Sequence, residues 1–174
     1  EQSKKQFELG LIRNHYVGRT FIEPTQNIRS LGVKLKLSST KTIVKNKSII
    51  LIDDSLVRGT TCHKIVKMLY ESGAKEVHVR IACPEIKYPD YYGVDMPTKE
   101  ELLAYRKNNQ EMCDHIKAKS LKFLSLDGLY KALTKEKRNS NYPQFSDHYF
   151  TGDYPVKPQD NLESTKVKQL SLLS

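Results

Sequence analysis

Ile52-Asp53-Asp54-Ser55-Leu56-Val57-Arg58-Gly59-Thr60-Thr61 follows directly on the apolar run Ser48-Ile49-Ile50-Leu51 and precedes a helical pattern. Two adjacent carboxylates therefore end a buried strand, and a short Gly- and Thr-rich loop carrying one Arg opens a helix. Ionised Asp accepts hydrogen bonds from both hydroxyls of a diol. Asp53 and Asp54 point to opposite sides if the strand continues through them, yet both can meet a ribose lying across its end. They also suit a hydrated Mg²⁺ carried by the sugar, because that ion takes one or two carboxylates plus substrate oxygens. Gly59 lets the backbone approach a ligand, and Thr60 and Thr61 add hydroxyl donors. The free N–H groups of the helix start attract a phosphate, and Arg58 adds charge. Two acids followed by Ser and Gly also make an ordinary strand-ending turn and helix cap. The ordered set of strand, paired acids, Arg-Gly-Thr-Thr and amphipathic helix favours a phosphorylated pentose over that plainer reading.

The flanking segments extend the pattern. Ile43 to Asp54 reads as a strand, with Lys45-Asn46-Lys47 as a turn before its buried part. Thr61 to Glu71 reads as a helix with an apolar face of Ile65, Val66, Met68 and Leu69, ended by Gly73. Val77, Val79 and Ile81 alternate with polar residues, so Glu76 to Ala82 is the next strand. This βαβ unit implies parallel pairing. In such sheets ligands bind beyond the carboxyl ends of the strands, where Asp53 and Asp54 fall.

The sequence after Cys83 is irregular, with Pro84, Pro89, Gly93 and Pro97. Thr98-Lys99-Glu100-Glu101 has the form of a capping box and predicts a helix from about residue 99. A second helical stretch covers about 110–118. Leu121 to Leu124 is a short strand, and Ser125 caps a helix running to about Lys135. Beyond Glu136 the pattern predicts extended, weakly organised chain. Residues 1–136 are thus expected to form the main domain and 137–174 an extended C-terminal segment, weakly ordered at its end.

The motifs resemble the phosphoribosyl pyrophosphate (PRPP) signature of type I phosphoribosyltransferases. Four further stretches, Leu11 to Ile22, Pro84 to Asp95, Leu124 to Leu129 and Phe150-Thr151-Gly152, are similar to the amidophosphoribosyltransferase family in their order along the chain. The resemblance covers about 8–155. It implies an α/β fold, a type I phosphoribosyltransferase-like parallel sheet flanked by helices, with the family's first strand missing from these residues. It also implies formation of 5-phosphoribosylamine from PRPP and ammonia with release of pyrophosphate, the first step of purine synthesis. Asp53, Asp54, Tyr16 and Arg19 would be the catalytic residues. Ser55, Val57, Arg58, Gly59, Thr60 and Thr61 would hold the substrate, and Asp53 and Asp54 would meet the Mg²⁺. Tyr16 and Arg19 fall in a basic, Thr-rich stretch suited to a loop that closes over a polyphosphate and excludes water. The same loop carries Lys34 and Lys36, which read individually as solvated surface charges. The family binds purine nucleotides near this loop, which brings in His15 and Arg13.

The family's glutaminase domain, with its N-terminal cysteine nucleophile, has no counterpart in these residues, so a fragment or a split gene product with a separate glutaminase partner is expected. Homo-oligomer formation is expected from the family. One branch carries a four-cysteine iron–sulfur cluster, but here Asp90, Ser146 and Tyr149 stand at or near the matching places, so no iron–sulfur cluster is expected.

Composition narrows the alternatives. The 174 residues suffice for one core. No apolar run approaches a membrane span, and no signal-peptide pattern opens the sequence. Cys62, Cys83 and Cys113 are too few and too scattered for a disulfide framework or a zinc site, which suits a reducing cytoplasm. Cys62 reads either as a helix-start thiol of lowered pKa or, more simply, as a packing residue. None of His15, His63, His78, His115 and His148 has ligand spacing. The net charge of +9 admits a nucleic-acid partner, but the excess is scattered and no aromatic platform for bases accompanies it. A regulator that only senses PRPP or binds nucleic acid, and an inactive truncated remnant, are the alternatives to an enzyme.

Overall fold

A strand buries alternate side chains, and the stretch 48–53 does so. The computed structural model describes residues 4–13, 37–39, 41–93 and 98–156. A three-residue strand β1 (Leu11–Arg13) pairs antiparallel with β2 (Leu37–Ser39). A helical turn α1 (Lys41–Val44) leads into β3 (Ser48–Asp53). Helix α2 (Thr60–Glu71) then crosses to β4 (Glu76–Ile81). After a single 3₁₀ turn over Lys99–Glu101 come α3 (Leu103–Arg106), α4 (Asn109–Ile116), β5 (Ser120–Phe123), α5 (Leu126–Thr134) and α6 (His148–Thr151).

The principal sheet has the order β3-β4-β5 and both pairings are parallel. The expected α/β architecture with a parallel sheet is therefore present. Its core lies between one sheet face and the helices: Leu51, Val77, Val79, Ile81 and Leu121 from the strands meet Ile65, Val66 and Leu69 of α2 and Met112 and Ile116 of α4. On the other face Ile50 and Ile52 of β3 remain 51% and 71% exposed. Among the described residues no helix is long and apolar enough to cross a membrane.

Three local expectations need correction. Ile43 and Val44 belong to a helical turn, not to the strand; Lys45 N–H bonds the Lys41 carbonyl, and Asn46 at φ 62 breaks the backbone before Ser48. Thr98 makes no side-chain capping bond, and the segment after it is a 3₁₀ turn followed by one short helix. The capping box is instead Asn108 with Glu111, each side chain accepting the other's N–H at 2.9 and 2.8 Å. The chain beyond Glu136 is not weakly organised throughout. Asp147 and His148 are buried, the Tyr149 carbonyl accepts from Lys87 and Tyr88 N–H, and the Tyr154 hydroxyl donates to the Pro89 carbonyl. Ser125 caps α5 as expected, its hydroxyl accepting from Gly128 N–H at 3.0 Å.

Candidate phosphosugar site at the end of the first parallel strand

Strand alternation turns Asp53 toward the same side as buried Leu51, and leaves it half-buried, while Asp54 is exposed. The Asp53 carbonyl still takes the ladder bond from Ala82 N–H. Its carboxylate accepts from Asp54 N–H at 3.1 Å, and Asp54 accepts from the Ser55 hydroxyl at 3.0 Å. Burial raises the Asp53 carboxyl above its ordinary value, and the neighbouring Asp54 charge adds to this, against the Asp54 N–H bond.

The helix start lies against these acids. Burial pushes the Cys62 thiol in the first turn of α2 up to about 12, with the Asp53 charge contributing. Burial and then Asp54 push Cys83, just past β4, up to about 11. The direction opposes a thiol of lowered pKa at Cys62, whose side chain packs in the buried core. Both thiols stay protonated at pH 8, so the native chain is expected to react with a small alkylating reagent far more slowly than free cysteine, and at the ordinary rate once unfolded; mass-resolved labelling checks this.

Gly59 opens α2 at φ 79, a left-handed conformation that an L side chain adopts only under strain, and it offers no capping side chain. The first-turn N–H groups of Thr60, Thr61 and Cys62 thus have no side-chain cap. A Cβ at Gly59 would also sit 2.7 Å from a Leu103 methyl and 3.2 Å from the His115 ring. Gly59→Ala is expected to cost roughly 1–3 kcal/mol of stability, read as a lowered Tm.

The remaining loop residues are held from behind. The Val57 carbonyl accepts from Leu103 N–H at 2.8 Å. Arg58 donates through Nε and Nη2 to one Glu101 oxygen at 2.9 and 2.7 Å. His63 donates through Nδ1 to the His115 carbonyl at 3.0 Å. Burial, with Lys107, His63 and Arg106 nearby, lowers the His115 imidazole below its usual value. Glu101, Leu103 and His115 were not singled out as site residues from the sequence, because their approach to the loop is long-range.

Asp53 to Thr61 are thus contiguous around one strand end and one helix start. Tyr16 and Arg19, with Lys34 and Lys36, lie outside the described residues. A cavity of about 490 Å³ is lined by Pro84, Lys87, Asn109, Phe123, Ser125 and Phe150 among others, and none of the sequence-predicted site residues lines it.

Asp90, Ser146 and Tyr149 do come together, around His148. His148 Nε2 donates to Asp90 at 2.8 Å with both side chains essentially out of solvent, and His148 Nδ1 lies 3.0 Å from the Ser146 hydroxyl. Burial raises the Tyr149 phenol, and its contact with Asp90 raises it further.

A curated amidophosphoribosyltransferase from Rhizobium etli is 53% identical over 175 residues, covering 100% of this chain and 35% of the relative. Over its whole length the chain is similar to one part of amidophosphoribosyltransferases. Chloroplastic amidophosphoribosyltransferase 1 from Arabidopsis thaliana is likewise 53% identical, over 94% of this chain and 27% of its own length. The chain therefore spans about a third of the curated family members it matches. No protein-family model matches it. Among solved structures, the B. subtilis glutamine PRPP amidotransferase complexed with ADP and GMP superposes with a TM-score of 0.75 at 46% identity, over 88% of this chain and 34% of that one. A structure of the allosteric regulatory enzyme of purine biosynthesis gives 0.76 at 46% identity, over 90% and 33%. The amidophosphoribosyltransferase fold of these structures carries the parallel sheet and helices described above.

Proposed function

We propose that the chain is the PRPP-binding portion of an amidophosphoribosyltransferase, acting in the first step of purine synthesis. The observation that carries this is the adjacency of two carboxylates, one half-buried, to an uncapped helix start across a short loop with a left-handed glycine. Asp53 and Asp54 accept the ribose hydroxyls. Ser55, Val57, Arg58, Gly59, Thr60 and Thr61 receive the 5′-phosphate, chiefly through N–H groups and hydroxyls. Tyr16 and Arg19 act on the pyrophosphate.

The donor set fits Mg²⁺. A half-buried carboxylate whose ionisation is opposed by its neighbour gains from a cation, and carboxylate oxygens are the ligands that ion prefers. Among the described residues no cluster of three or more His, Cys, Asp or Glu could hold a metal by itself. Bound there, Mg²⁺ would offset charge on the pyrophosphate.

In the reaction, the ammonia lone pair forms a bond to C1 of PRPP as the C1–O bond to pyrophosphate breaks. Pyrophosphate leaves with the electron pair, and the new ammonium-type nitrogen gives a proton to solvent. The residues here orient the pentose and stabilise charge; no covalent intermediate is required. In the family reaction the ammonia derives from glutamine. Purine nucleotides such as the ADP and GMP seen on the B. subtilis relative are the proposed inhibitors, and self-association follows the family. Calorimetric titration with PRPP and Mg²⁺, with an assay of ammonia-dependent pyrophosphate release, tests the reading. Saturable binding and release support catalysis. Binding without release supports a PRPP sensor, and no binding contradicts the proposal.

A further inference from the structure

The sequence gives Glu101 a local task, closing a capping box with Thr98, which it does not perform. Its carboxylate reaches 43 residues back along the chain to Arg58, and one oxygen takes both Nε and Nη2. A two-point grip fixes the guanidinium plane as well as its position. Two residues on, Leu103 donates its N–H to the Val57 carbonyl, and its side chain lies beneath Gly59, where a Cβ would come within 2.7 Å. The platform is firm: Leu102 and Leu103 are both 0% exposed. The segment 101–103 thus grips the bend at three consecutive positions, Val57, Arg58 and Gly59.

We propose that Glu101 is a positioning residue for this bend, holding Arg58, and through it the loop, in the geometry that receives a sugar phosphate. This rests on the phosphoribosyl reading given above. Its side chain and that of Arg58 are 51% and 54% exposed, so the pair adds little to global stability. Its effect falls on the order of the loop before ligand arrives, which lowers the cost of binding.

The probe is D-ribose 5-phosphate, titrated calorimetrically into the chain and into E101A, E101Q, R58A and R58A/E101A. Losing an exposed ion pair of this kind predicts about fivefold weaker binding for E101A. Glu101→Gln keeps one acceptor oxygen and recovers part of that loss. The double variant binds no more weakly than R58A alone, because Glu101 acts through Arg58. A purely structural loss would instead add to the effect of R58A. Native-state hydrogen exchange gives a second readout: in E101A the Leu103 amide, bonded to Val57, exchanges faster while the amides of β4 do not. Binding by E101A that equals or exceeds the native value, additive losses in the double variant, or an unchanged Leu103 amide each overturns the positioning role. Failure of the native chain to bind ribose 5-phosphate overturns the phosphoribosyl reading and the role together, so the two failures are distinguishable.

Discussion

Asp53→Asn is expected to remove PRPP binding while leaving thermal stability unchanged or raising it. The carboxylate is half-buried, burial lifts its pKa, and Asp54 opposes its ionisation. A carboxyl raised in the folded state contributes stability below its unfolded pKa, and that contribution is lost as pH rises through the folded value. At neutral pH the charge therefore costs stability, and Asn removes the cost. Asn also keeps an oxygen for the Asp54 N–H bond that Asp53 now accepts. What it loses is charge-assisted acceptance from a diol. Such bonds contribute roughly 1.5–3 kcal/mol each, so two together correspond to a loss on the order of a hundredfold or more. Calorimetry with PRPP and Mg²⁺, beside thermal melts of the same samples, checks both halves. Asp54→Asn is expected to weaken binding as well. Unchanged affinity in both variants contradicts the site.

Asp147→Ala is expected to be among the most destabilising single changes in the described residues. Asp147 is almost fully buried and accepts from Tyr130, Thr151 and Arg138, the last through both Nε and Nη2. Burial alone would raise its carboxyl, but the bonds from Arg138 and Tyr130 outweigh burial and hold it below its ordinary value. Arg138 would keep its Asp153 partner, at 2.6 Å. Removing one member of a buried pair costs roughly 3–5 kcal/mol, and the Asp153 bond puts this case toward the lower end. The double change Arg138→Met with Asp147→Leu is expected to cost much less, since no charge is then left buried. Urea unfolding at pH 7 compares them. The depressed carboxyl also sets a pH dependence. Its contribution is fully present above the ordinary Asp value of about 3.9 and is lost as pH falls through the lower folded value. The gap between native and Asp147→Ala chains is therefore expected to shrink in strong acid.

Local patterns made the strand at 48–53, the helix at 60–71, the strand at 76–81 and the Ser125-capped helix legible, because each is set by period and cap chemistry within a few residues. The carboxylate pair and the helix start were legible for the same reason. The misreadings have one common cause, a longer-range bond or a backbone break that overrides a local signal. Ile43 and Val44 are β-branched and apolar, but the positive φ of Asn46 separates them from the strand. Thr98 and Glu101 have capping-box spacing, but Arg58 takes the glutamate. Asn108 and Glu111 carried the same spacing and do form the box. The order around Asp147 and His148 joins residues far apart, such as Asp90 and Tyr130, so no local window reveals it.

The most direct test of the proposed site is a two-dimensional amide NMR titration of the chain with D-ribose 5-phosphate. The predicted result is a set of shifts concentrated at Asp53 to Thr61, with the largest at Gly59, Thr60 and Thr61. Shifts confined to the cavity around Lys87, Ser125 and Phe150, or none in the loop at saturation, would contradict it.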